Sequence, residues 1–177
     1  LPTTPIQDIH DDQGEIALCI LSAVNVGGLN DLSELENICD LAVRALEQII
    51  DYQDYPVKAA EVSTKRRRSL GIGYIGLAHY LAKHGVKYSD PKAWDLVDRL
   101  SEAFQYHLLK ASNTLAKEKG KCEGFDRTKY ADGLLPIDHY KKDVDKIVPH
   151  KQRMAWESLR KDIAKYGLRH STLSAQM

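Results

Sequence analysis

Apolar positions recur along this chain in two rhythms. From Asp31 to about Tyr52, Leu35, Ile38, Ala42, Ala45 and Ile49 return at steps of three and four, which predicts a helix with one apolar face. Either Ser33 and Glu36 form its capping box, or Asp31 caps it with Glu34 behind. Asp54-Tyr55-Pro56 breaks the pattern. The longest helix opens at Asp90-Pro91, with Asp as N-cap and Pro at the first helical position. Its buried stripe is Val97, Leu100, Phe104, Leu108, Ala111 and Leu115, and Gly120 ends it. Shorter helices are predicted from about Leu77 to His84, closed by Gly85, and from Pro136 through Val144. A last helix carries Trp156, Leu159, Ile163 and Tyr166 and is closed by Gly167.

The second rhythm is short and unbroken. Ile16 to Leu21 is apolar throughout, bounded by Gly14 and by Asn25, Gly27 and Gly28, and suits a strand buried on both faces. Leu168 to Met177 also reads as strand-like, whereas residues 1–14 and 57–69 read as loop and polar connection. Helices therefore dominate, with two or three short strands far apart. Strands separated by helical crossovers pair in parallel, which gives an α/β fold. So few strands make no stable sheet alone, so the sheet is expected to continue beyond this chain. A start at Leu1 and a finish at Leu173 to Met177, inside a strand, read the same way.

Composition narrows the function classes. Lys+Arg and Asp+Glu balance at 25 each, so nothing pulls the chain toward nucleic acid or an anionic membrane. No apolar run approaches a membrane span of roughly 20 residues, and the first residues do not form a signal peptide. Three widely spaced cysteines without CxxC argue against a disulfide framework or structural zinc, and point to a reducing cytosol.

Each candidate motif has a plain alternative. Gly71-x-Gly73-x-x-Gly76 matches the dinucleotide fingerprint by letters, but Lys65 to Ser69 precede it where an apolar strand belongs, and close backbone packing explains the glycines as well. Lys65-Arg66-Arg67-Arg68 is a phosphate or nucleic-acid patch, or else a solvated or ion-paired surface. The seven histidines include no HExxH and no pair at helical metal spacing. Cys39 suits a small core residue, and Cys122, in a polar turn after Gly120, an exposed idle thiol. Cys19 falls within the predicted buried strand, and its chemistry alone favours a structural role.

Longer stretches change that balance. Gly14-Glu15-Ile16-Ala17-Leu18-Cys19 with Leu21-Ser22-Ala23 and Asn25, Ala42-Val43-Arg44-Ala45-Leu46 and Asp51 to Pro56 resemble class I ribonucleotide reductase large subunits of the aerobic enterobacterial and phage type. So do Leu70 to Gly73, Tyr80 to Gly85, Leu108 to Asn113, Leu135 to Asp138, Gly167-Leu168-Arg169 and Ser171 to Ala175. The resemblance runs end to end. Val24 stands where the family often has an aromatic residue.

The resemblance implies that residues 1–177 are part of a catalytic domain, a ten-stranded α/β barrel, incomplete at both ends. It implies reduction of a ribonucleoside diphosphate at the 2′-carbon, begun by a thiyl radical on another cysteine. Cys19 matches one of two reducing cysteines that finish as a disulfide, its partner lying outside the chain. Leu21 matches a residue lining the substrate cavity, and residues 1–14 an arm descending from the active-site loop. No cofactor or metal is expected on this chain. The complete enzyme is expected to need a metal-containing, radical-generating beta subunit, nucleotide effectors, thioredoxin or glutaredoxin, and the rest of the large subunit, in the cytoplasm or that of a phage host. The isolated chain is expected to be inactive. Two rivals remain: a non-catalytic scaffold in which Cys19 is a spectator, and a nucleotide-binding module built on the glycine motif.

Overall fold

A computed structural model describes residues 3–8, 10–147 and 151–174. In chain order it holds β1 (Ile20–Asn25), α1 (Glu34–Tyr52), α2 (Lys58–Arg67), β2 (Leu70–Ile75), α3 (Leu77–Lys83), α4 (Pro91–Lys119), α5 (Trp156–Tyr166) and β3 (Leu173–Ser174). The strands form one parallel sheet in the order β1-β2-β3. Ile20 to Asn25 lie opposite Leu70 to Ile75, and Leu70 lies opposite Leu173. Helices cross over between strands, as the spacing predicts.

One face of the sheet is covered. Leu70, Ile72 and Tyr74 of β2 pack with Leu35, Cys39, Val43, Leu46 and Ile50 of α1 and with Leu100, Phe104, Leu108 and Leu115 of α4. Tyr74 meets Phe104 edge to face at 5.5 Å, and its hydroxyl lies 3.1 Å from Ser101 Oγ. The other face is open among the described residues: Leu21 and Ile75 are 59% and 56% exposed.

Several expectations are corrected. β1 begins at Ile20, four residues later than predicted, because Ile16 N–H bonds Ala59 O and sheet pairing opens only where Ile20 N–H reaches Ser69 O. The strand is not buried on both faces: Val24 is buried, Ile20 and Ser22 half-buried, and Leu21, Ala23 and Asn25 exposed. Cys19 therefore precedes the strand and is exposed. On α1 the seam runs through Cys39, Val43, Leu46 and Ile50, so Ala45 and Ile49 face outward with Leu41 and Tyr52. Ser33 makes no side-chain cap. Instead Asp31 accepts from Ser33 N–H, and the Glu34 carboxylate accepts from Asn30 N–H.

Residues 58–67, predicted as a polar connection, form α2. Its buried face is made of Ala59, Ala60, Ser63, Thr64 and Arg67, small or polar residues that leave no apolar period. Cys122 is buried, its N–H held by Leu168 O. The predicted helix from Pro136 through Val144 is two 3-10 turns, Pro136–Asp138 and Lys142–Lys146. Of the last predicted strand, only Leu173–Ser174 pairs, and residues 175–177 lie outside the described residues. The other helices stand close to prediction: α4 starts at Pro91 with Asp90 in the N-cap position, although the Asp90 carboxylate accepts from Lys87 N–H and makes no cap bond, and Gly120 ends it at φ +86°.

Candidate functional site

Cys19 lies on a short span between two anchors. Upstream, Glu15 is buried and its carboxylate is gripped by Arg67, Oε1 to Nε at 3.1 Å and Oε2 to Nη2 at 2.7 Å. The same carboxylate accepts from Thr4 N–H at 3.0 Å, while Thr4 O accepts from Glu15 N–H at 2.9 Å. Arg67 holds the Glu15 carboxyl at about 2, against the raising effect of burial. Downstream, Ile20 N–H bonds Ser69 O at 3.3 Å. Between the anchors, Ala17, Leu18 and Cys19 are all exposed. The Cys19 thiol faces its neighbour's carbonyl weakly, Sγ to Ile20 O at 3.9 Å, and partial burial raises it above the ordinary thiol range. It is a thiol, not a thiolate, at neutral pH, so exchange needs a base or an incoming thiolate.

The other cysteines are different in kind. All three are free, but Cys39 and Cys122 are buried, and burial pushes their thiols up to about 12 and about 11. Leu21 sits on the open face of β1, two residues beyond Cys19. Gly71 and Gly73 lie inside β2, opposite Leu21 and Ala23. Gly76 alone precedes a helix, at φ +80°, where a Cβ would collide with Asn25 Oδ1. The motif thus serves strand packing and a strand-to-helix turn: its first two glycines lie inside β2, and only Gly76 stands between β2 and α3.

The basic run is spent on ion pairs. Lys65 pairs with Glu61, Arg66 with Glu123, Arg67 with Glu15, and Arg68 with Glu47 and Asp51. Among the described residues no group of three or more His, Cys, Asp or Glu side chains comes together as a metal site, and no helix is long and apolar enough to cross a membrane.

Sequence reasoning missed three buried glutamates. Glu15 is one. Glu47 on α1 is fully buried and takes Arg68 Nε at 2.8 Å, Arg169 Nε at 2.8 Å and His170 Nε2 at 3.0 Å. Burial alone would raise its carboxyl, but these hydrogen bonds overcome it and hold it at about 2. His170 is also fully buried, and burial lowers it, so its ring is neutral. Ser112 Oγ accepts from His170 N–H at 3.2 Å and lies 2.9 Å from Nδ1. A proton on Nε2 given to Glu47, with the Ser112 hydroxyl donating to Nδ1, satisfies the whole group. Glu102 on α4 gathers Arg153 N, Met154 N and Trp156 Nε1, fixing the start of α5. Partners 52, 54 and 123 residues apart leave no local signal.

Against known proteins, the family described as "Ribonucleotide reductase, barrel domain" matches residues 6–177. The chain belongs to the ribonucleotide reductase barrel-domain family. The resemblance seen in the sequence is therefore sound, and the three parallel strands with their crossover helices are a segment of that α/β barrel. The ribonucleoside-diphosphate reductase subunit alpha of Haemophilus influenzae is 60% identical over all 177 residues, which cover 23% of that protein. The corresponding subunit of Escherichia coli is 56% identical over 128 residues, 72% of this chain and 17% of that protein. That of Enterobacteria phage T4 is 42% identical over 175 residues, 98% of this chain and 23% of that protein. The chain thus spans about a quarter of the length of the relatives that it matches end to end.

Proposed function

We propose that the chain is the part of a ribonucleoside-diphosphate reductase large subunit that supplies Cys19 as one of two reducing thiols. In the balanced step, a ribonucleoside diphosphate and two thiols give a deoxyribonucleoside diphosphate, one disulfide and water. The two thiols lose two electrons and two protons, and the 2′-oxygen leaves as that water. The second thiol belongs to a cysteine outside these residues, as does the cysteine whose radical opens the reaction. Leu21, exposed on the same open side, packs against the substrate. The radical comes from a metal-containing beta subunit, nucleotide effectors act elsewhere on the large subunit, and thioredoxin or glutaredoxin reopens the disulfide by thiol exchange.

One observation carries the assignment of Cys19. Of three cysteines in a chain 60% identical to a reductase subunit, it alone is exposed, beside the sheet's open edge. Cys39 and Cys122 are sealed in the core. The test is turnover after the chain is assembled with the remaining large subunit and the radical-generating subunit. Cys19→Ser is expected to abolish thioredoxin-dependent turnover, and Cys39→Ser to retain it. Intact turnover in Cys19→Ser leaves only the scaffold role, and turnover by the isolated chain refutes the assignment.

A further inference from the structure

We propose that Glu15 is a positioning residue for Cys19, with Arg67 as its anchor. The proposal rests on the reading of Cys19 as a reducing thiol. The Glu15 side chain is fully enclosed and that of Arg67 is 8% exposed, so this is an interior ion pair with two parallel hydrogen bonds. It joins three pieces of chain: Thr4, the end of α2, and the segment that enters the Cys19 span.

The loop closed by Thr4 and Glu15 is itself tied down. Asp11 accepts from the N–H groups of Gln7, Gln13 and Gly14, and a Cβ on Gly14 would run into Ile6. Past Ile16 the restraint stops. Ala17, Leu18 and Cys19 make no backbone hydrogen bond with another described residue until Ile20 N–H meets Ser69 O. The placement of Cys19 is therefore set by the two ends of this span, and at the upstream end the grip on Glu15 acts together with the Ile16 N–H to Ala59 O bond.

A disulfide closes only when two Cα atoms lie about 4.4–6.8 Å apart with their Cβ vectors converging. A thiol that wanders by an ångström or more spends less time in that window, which lowers the effective concentration of the pair. Glu15→Gln removes the charge, leaves the Arg67 guanidinium facing an amide, and loosens the upstream end, where only the backbone bonds of Glu15 and Ile16 to Thr4 O and Ala59 O remain. The Coulomb effect of Arg67 on the thiol is not the device, since the shift at Cys19 comes from burial.

The test uses the complete large subunit carrying this segment, equilibrated in glutathione buffers, with the Cys19 disulfide counted by differential alkylation and mass spectrometry. Two cysteine thiols become one disulfide as one glutathione disulfide becomes two glutathiones. Glu15→Gln is expected to move the midpoint roughly tenfold toward oxidised glutathione, about 30 mV for this two-electron couple. Arg67→Lys keeps the charge but loses the fork, so it moves the midpoint less, in the same direction. Glu61→Gln, on an exposed face of α2, leaves it unmoved. A purely structural role would reduce the folded fraction but leave the midpoint of the surviving fraction unchanged. A folded Glu15→Gln protein with the parental midpoint overturns the proposal alone. If that variant does not fold, Arg67→Lys carries the test, and a parental midpoint there overturns it. A parent that forms no Cys19 disulfide overturns the reading of Cys19 and the proposal with it.

Discussion

Glu47→Gln tests whether buried charge holds this fold together. The parent carboxylate, with no exposed surface, neutralises Arg68 and is bonded by Arg169 and His170. Removing one partner of such a buried pair strands the others and costs about 3–5 kcal/mol. The pH dependence gives a second, independent magnitude. Glu47 titrates at about 2 when folded and at 4.5 in the reference state, so its folded value is depressed. Its stabilisation is present above pH 4.5 and is lost as pH falls toward 2. Between pH 7 and pH 3 the parent gives up about 2 kcal/mol through this group alone, on the linkage relation. The glutamine variant has no such proton to take up. Urea unfolding followed by far-UV circular dichroism is expected to show a large gap at pH 7 that narrows by about 2 kcal/mol at pH 3. A gap independent of pH, or a variant as stable as the parent at pH 7, refutes the reasoning.

Three further outcomes are expected. Iodoacetamide modifies Cys19 in the native chain, with a rate that climbs at alkaline pH because its thiol is raised, while Cys39 and Cys122 react only once urea opens the core; native-state mass spectrometry showing Cys122 labelled as fast as Cys19 contradicts the burial. Gly76→Ala puts a Cβ into Asn25 Oδ1 at φ +80° and is expected to lower stability by about 1–3 kcal/mol in thermal unfolding; an unchanged midpoint removes the steric account. Phe104→Ala empties the space between Tyr74 and α4 and is expected to cost about 3–5 kcal/mol in urea titration; a loss under 1 kcal/mol would mean that the site collapses freely.

What the sequence made legible follows from where the physics is local. α4 and α5 have strong apolar periods and end at Gly120 and Gly167, both at positive φ, and they appear where predicted. α2 was hidden because Ala59, Ala60, Ser63 and Thr64 pack as small surfaces, though their four-residue recurrence was the available signal. On α1 the period is right and the predicted stripe is borne out at Leu35, Ile38 and Ala42, but further along Ala45 and Ile49 face outward while Leu46 and Ile50 carry the seam. β1 starts later than predicted because hydrophobicity marks Ile16 to Leu21, whereas Ile16 N–H goes to Ala59 O and pairing opens only where Ile20 N–H reaches Ser69 O. Long stretches of resemblance identified the family. The chemistry around Cys19 did not, because its anchors come from Thr4, Arg67 and Ser69.

The parallel sheet also governs how this segment comes to be folded. Leu70 pairs with Ile20 across 50 residues and with Leu173 across 103, so every strand contact closes a long loop. Such non-local pairing is slow, and its entropy is recovered only after the helices between the strands have docked. Until β3 arrives, the far edge of β2 is an unpaired template for other chains. Substitutions that loosen α4 against α1 are therefore expected to lengthen the lifetime of that open edge, and to appear as aggregation during refolding before they appear as a lower equilibrium stability.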